Sequence, residues 1–595
     1  MRYLSDDSLI SRIEQMVVDE RYREGFHEID KLRGSRREKG DQLRFGVLES
    51  RCLTGLGEFN KAFRIAQDVV DLGINHQEDK MVVIEGLFEM ASASWGLGQP
   101  DMILEACEEA ENLRQELDVD DEFLLDSIRA DILFHESIGW YLNDDVHRGI
   151  ESALENLSIN ERLGDLPRIV ASHMRVGYLY FEVEPHKTLE YIERGLELNK
   201  KLGSYGHVIF GFNCQAMVET ERGNWDKAEY LVQQCLSLAR EHDHGRWMLF
   251  ILYNIGRLYR LKGDFRSSEE AYLEHLTWAE KAGAEIHIAL ASGNLGAIYR
   301  ARGDFDQSLR CYKRTMELFK RIGRTKDYLT GLVSYGMIQY AMGFSDKALA
   351  LLEESLVLAE VQVQNGLLGG YLRAYIILQI ITILVDEGLV DAAQQRLEQI
   401  RLIREETRNN YDKRVHQIAN ALVLKSSMLP RNIVEAKEHL IEVIDGSFRD
   451  DEICTLALLI LSEILVNELQ MTGDQDVLES FNVRLAKLSE MADKMESALL
   501  SVETLLLQSK VALLQLEADK ANRLLNQAQI LARQKGLRNI SKRVIDEHDD
   551  LLNELSIWKK LGDDIPSMEE RTQKVRIQEQ IGEMIQQGIW RKMLF

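Results

Sequence analysis

Four glycines set the frame for this chain. Gly223, Gly263, Gly303 and Gly343 are spaced by 40 residues each. Two further columns keep the same step: Ala216, Gly256, Gly296, Gly336, and Ala228, Ser268, Ser308, Ala348. Three columns locked to one period define a repeat, and a period in the 20–50 range means a stack of supersecondary units. One unit reads from Ser292 to Gly323. Leu295, Ile298 and Tyr299 make an apolar stripe at helical spacing. Gly303 suits a helix C-terminus, and Asp304 can cap the next helix by accepting from a free backbone N–H. Leu309, Tyr312, Met316 and Phe319 then predict the buried stripe of a second helix. The small residues Gly296 and Ser308 mark where the two helices cross closely. One pair cannot bury both stripes, so neighbouring pairs must stack.

Composition agrees with an all-helical chain. The sequence holds 5 prolines in 595 residues, where average usage of about 5% predicts roughly 30. It holds 40 glycines, an ordinary number. Avoiding proline but not glycine is what helices with glycine-marked turns require. All-β folds and large α/β enzymes are thereby disfavoured. The net charge of -26 argues against nonspecific nucleic-acid binding, which needs many cations to replace counterions. The charge is uneven: residues 101–160 carry 17 acids and 3 bases, whereas 246–326 carry 15 bases and 9 acids. The six cysteines form no CxxC or zinc spacing and read as core thiols of a reducing compartment. The N-terminal Ser5-Asp6-Asp7 has acids where a secretory leader needs an apolar run. The longest apolar stretch, Tyr375 to Val385, is too short to span a bilayer. A cytoplasmic protein without stable membrane insertion is the expectation.

The repeat continues outside the regular window. Within-pair turns are placed at Glu20-Arg21-Tyr22, Gly57-Glu58-Phe59, Gly98-Gln99-Pro100, near Asn143, at Glu184-Pro185, Gly388-Leu389, near Pro430, at Gly473-Asp474 and near Leu516. About 13 helix pairs result. By regularity the chain divides into degenerate repeats over 1–204, regular repeats over 205–363, degenerate repeats over 371–560, and a turn plus amphipathic helix over 561–595. Gln364 to Gly370 is the candidate break.

Asn254-Ile255-Gly256…Tyr259…Gly263-Asp264-Phe265…Ser268…Tyr272 and its copy forty residues on resemble the tetratricopeptide repeat (TPR) motif. The 40-residue period looks like the Leu-Gly-Asn repeat adaptors and the sensory TPR regions of bacterial regulators. The resemblance implies an all-α, right-handed α-solenoid whose first helices line a concave groove. It also implies a non-enzymatic scaffold or adaptor that binds a protein or peptide segment there. The alternative is a ligand- or peptide-responsive regulator acting on a partner. In such families asparagines just before the small residue bind an extended peptide; Asn254 and Asn294 match, and Asn213 is one residue out of register. Arg257, Arg260 and Arg300 fall on the same helical side and suit a partner carrying acidic groups.

No nucleotide-, metal- or nucleophile-type motif appears, so no cofactor, metal or catalytic residue is expected. Glu241-His242-Asp243-His244 reads as a polar helix end. After Pro566, Ile577, Ile581, Met584 and Gly588 form a stripe, and the chain ends Ile589-Trp590-Arg591-Lys592-Met593-Leu594-Phe595. This tail is expected to cap the last repeat, with the concave groove as its alternative seat.

Overall fold

The computed structural model describes residues 6–586 apart from 32–38, 77–79, 118–120, 144, 223, 263, 303, 365–370, 408–409, 428, 447–450, 495–496 and most of 535–565. Among the described residues all regular structure is helical. Twenty-six α-helices from Asp6–Val18 to Ala518–Gln534 form thirteen consecutive pairs, and two more, Met568–Lys574 and Ile577–Gln586, follow. The fold is a TPR-type α-solenoid.

The turns lie where the sequence places them. Glu20, Gly57, Gly98, Gly343, Gly388, Gly473 and Leu516 all adopt left-handed backbone, with φ between 60° and 82°. That conformation ends a helix and reverses the chain. Three prolines of the predicted turns, Pro100, Pro185 and Pro430, begin second helices, where a missing N–H costs nothing; Pro167 begins a first helix. Gly223, Gly263, Gly303, the Gln364–Gly370 break after Gln364 and the final residues 587–595 lie outside the described residues.

In the regular repeats the two helices of a pair cross closely at the glycine column. A Cβ placed on Gly256 would meet the Tyr272 ring at 2.7 Å; on Gly296, the Tyr312 ring at 3.2 Å; on Gly336, Leu351 Cβ at 3.4 Å. The Ser308 hydroxyl donates to the Gly296 carbonyl across the same crossing at 2.6 Å. The second-helix stripe is rotated from the expected phase. Tyr312 and Phe319 are buried as expected, but Thr315 and Leu318 fill the core beside them while Leu309 and Met316 are half-buried.

The helices group into two compact units: Met1–Leu258 with Glu270–Ala291, and Tyr259–Glu269 with Ser292–Phe595. These divisions follow packing, and the blocks of regular and degenerate sequence follow a different logic. All six cysteines are free thiols, five of them buried. Helix Ile453–Thr472 is long and apolar enough to cross a membrane by composition. It is mostly buried inside its unit, so core packing accounts for its apolarity.

Candidate functional site

In the first unit the helix stack closes on itself. Glu20, in the first turn of the chain, reaches the start of helix Tyr205–Glu221. Its carboxylate accepts from the backbone N–H of Tyr205 at 2.9 Å and of Gly206 at 3.1 Å, from the Ser204 hydroxyl at 2.5 Å, and meets His244 Nε2 at 3.1 Å. A helix N-terminus favours an anion there. Burial alone would raise the Glu20 carboxyl; the hydrogen bonds from His244 and Ser204 outweigh it and hold the group at about 2. Arg23 donates twice to Asp243, at 2.8 and 2.9 Å. Phe59 and Leu97 pack with Leu249, Ala279, Ala282 and Ala284. The polar helix end Glu241–His244 is therefore part of this closure, with His242 stacked on Tyr205.

The closure fills the first-helix face with an aromatic hub. Trp95 meets Phe210, Trp247 and Phe250 with ring centroids 5.6–6.5 Å apart. Arg175 lies over Trp95 at 4.4 Å and Phe134 at 4.3 Å; Arg246 lies over Trp95 and Trp247 at 5.0 Å each. Burial, then the charges of Arg175 and Arg246, push the His135 imidazole down to about 3. Burial likewise brings His287 to about 4, and it sits 3.2 Å from His275. Apart from His287, which the sequence offers with Glu285 only as a polar loop, these residues do not stand out in the sequence, yet a signal was present. Trp95, His135 and Arg175 are 40 apart, as are His207, Trp247 and His287. The repeat period thus runs through the degenerate N-terminal block in columns of large residues.

The groove residues expected from sequence fall in both units. Asn254 and Arg257 belong to the first. Asn254 is buried and donates to Asn213 Oδ1 at 3.0 Å, and Arg257 pairs with Glu221 and lies near the Phe181 ring. The offset of Asn213 by one residue is matched by the 41-residue separation of the bonded pair. Arg260, Asn294 and Arg300 belong to the second unit. Asn294 and Arg260 are buried; Arg300 hydrogen-bonds the Tyr312 hydroxyl.

In the second unit the chain's own C-terminal segment lies on the first-helix face. Helices Met568–Lys574 and Ile577–Gln586 pack on first helices Asp451–Thr472 and Ala498–Leu514, and the second of them also reaches Thr325–Ala341. Ile577, Ile581 and Met584 are buried, as the stripe predicts. The Gln580 amide donates to the Glu503 carbonyl at 3.1 Å and to its carboxylate at 2.9 Å; Gln586 donates to the Tyr340 carbonyl at 3.3 Å. Arg571 donates to the Leu514 carbonyl. Of the two expected seats, a cap on the last repeat or the concave groove, the segment occupies first helices of the last two pairs.

Among the described residues no group of three or more His, Cys, Asp or Glu is placed to hold a metal ion. The geometry is that of a helical-repeat protein: stacked pairs whose first helices carry side chains that contact other segments of the same unit. The chain belongs to the MalT-like TPR region family, whose model matches residues 213–539. Solved structures with a similar arrangement include a Rap protein complexed with competence and sporulation factor, at 12% identity and TM-score 0.44, covering 60% of this chain and 99% of that one. Aspartyl phosphate phosphatase F from Bacillus subtilis gives 9% identity and TM-score 0.36, covering 60% and 94%. The apo form of the quorum sensor NprR from B. thuringiensis gives 10% identity and TM-score 0.39, covering 59% and 98%. No curated protein matches the chain.

Proposed function

We propose that the protein is a non-enzymatic TPR adaptor that binds a protein or peptide segment on its first-helix face. We also propose that the segment Met568–Gln586 is an internal occupant of that face in the second unit. The observation behind the reading is the burial of Ile577, Ile581 and Met584 on first helices, joined by the Gln580–Glu503 hydrogen bonds. A stripe at i, i+4 and i+7 is how an amphipathic helix sits in a groove. The favoured partner is therefore an amphipathic helix that competes with the tail. Release of the tail would give the regulatory version of the same activity.

The test uses a chain ended after residue 565 and a synthetic peptide of residues 566–586. The shortened chain should bind the peptide, the full chain should bind it at least tenfold more weakly, and an Ile581→Asp peptide should bind neither. Equal affinity for both chains would remove the internal-occupant reading. In the middle repeats we assign partner contact to Arg257 in the first unit and Arg300 in the second, with Asn254, Arg260 and Asn294 holding the helices that carry them. Arg257→Ala and Arg300→Ala should each weaken binding of acidic peptides, and added salt should do the same because exposed charge pairs are screened. Unchanged affinity in folded variants would leave these residues as repeat packing only.

A further inference from the structure

The closed first unit contains a cavity of about 230 Å³ walled by Tyr22, Arg51, Thr54, Glu89, Ser92 and Arg246, among others. Its two arginines differ in what faces them. Arg51 donates to Glu89 at 2.7 Å, and Glu85 and Asp131 also lie near it. Arg246 has aromatic rings against its guanidinium and makes no ion pair among the described residues, although the Glu89 carboxylate lies near it as well. Its Trp95 ring is shared with Arg175, which is 3% exposed and whose Nη1 has no hydrogen-bond partner among the described residues. Burial first, and then the charge of Arg246, pull Arg175 down to about 9, so it stays charged at neutral pH. The hub therefore holds two cations with no acid bonded to either.

A second observation points into the same cavity. Thr54 is 2% exposed, lines the wall, and its hydroxyl has no partner among the described residues. A buried hydroxyl left unpaired costs about 1–3 kcal/mol. The cavity lining thus offers a guanidinium held by rings and a buried hydroxyl with no partner among the described residues, beside the Glu89 carboxylate that Arg51 already engages. Rings stacked on the guanidinium hold its plane, so little side-chain freedom is lost when it binds.

We propose that the Arg246–Thr54 wall of this cavity is a binding site for a small oxyanion, the carboxylate or phosphate of a small molecule. The guanidinium takes two oxygens in the bidentate manner that suits both groups, and Thr54 donates to a third or to the same pair. The added negative charge offsets the surplus of Arg246 and Arg175. The cavity volume admits phosphate or a carboxylate of a few carbons.

The experiment follows thermal unfolding of the full chain in inorganic phosphate and, separately, in succinate, each against chloride at matched ionic strength. One of the two should raise the unfolding midpoint at millimolar concentration. By calorimetry, Arg246→Gln and Thr54→Val should each weaken that ligand at least tenfold while circular dichroism stays at the wild-type level. A response to phosphate assigns the phosphate source, and a response to succinate assigns the carboxylate source. No response to either beyond chloride overturns the site, and so does a response that survives in both variants. Should Arg246→Gln fail to fold, the near-isosteric Thr54→Val keeps the result decisive. The tail takes no part in this titration, so failure here and failure of the internal-occupant reading are separate outcomes.

Discussion

Glu20 does two things at one position. Its backbone is left-handed, with φ 60°, in a residue that has a Cβ, which costs about 1–2 kcal/mol. Its carboxylate then gathers donors from helix Tyr205–Glu221 and from His244. Glu20→Gln keeps the shape and removes the charge. Hydrogen bonds to a charged group contribute roughly 1.5–3 kcal/mol, so the variant should lose about that much at pH 7 in denaturant unfolding. The pH dependence has a definite sign. A carboxyl held at about 2 in the fold and near 4.3 when unfolded contributes fully above the higher value. Its contribution fades as pH falls through the window to about 2. The wild type should therefore lose its advantage over Glu20→Gln in that window; a constant difference down to pH 2 would show that the charge is not what matters. The turn at Glu20 was legible in the sequence because a tight reversal leaves a local signature. The role of the carboxylate was not, because its partners are about 185 and 224 residues away.

At the scale of one helix pair, the glycine column and the aromatic column explain each other. Tyr272 and Tyr312 lie 16 residues after Gly256 and Gly296 and press on them across the crossing. At Gly336 the opposing contact is aliphatic and looser, at 3.4 Å. Gly296→Leu would push into Cys311 and Tyr312. Overpacking costs about 1–3 kcal/mol and at times more, and loss of that size is expected in unfolding measurements. The exposed control Gln307→Leu should shift stability by less than about 0.5 kcal/mol. Equal shifts at the two sites would mean that the crossing is not at Gly296. This level was legible because small residues, caps and turns are set within a single pair. The phase of the second-helix stripe was less so: Thr315 and Leu318 are buried while Leu309 and Met316 are half-buried, and the spacing of one helix does not specify which flank its neighbours cover.

At the scale of the molecule, a repeat reading assumes that each unit touches only its neighbours. The second unit departs from that where its C-terminal helix returns to the first helices. The apolar stripe of that helix was plain in the sequence, but its seat was not, since a cap and a groove occupant need the same stripe. The first unit departs further, with Trp95 against Phe210, Trp247 and Phe250. Periodicity shows which residues face inward; superhelical curvature decides which inward faces meet. The closure also bears on how the protein is made. Arg23 and Asp243 are 220 residues apart, and at about 5–20 residues per second a ribosome needs roughly 10–45 s to bridge them. For that interval the first helix pair has emerged without the surface it will rest on. Ribosome-bound chains halted after residue 200 should be cut readily by protease near Glu20, whereas chains extended by some forty residues beyond 291 should resist. Equal resistance at both lengths would mean that the first pair is held by its immediate neighbours, and that ring closure is a late addition to an end that has already folded.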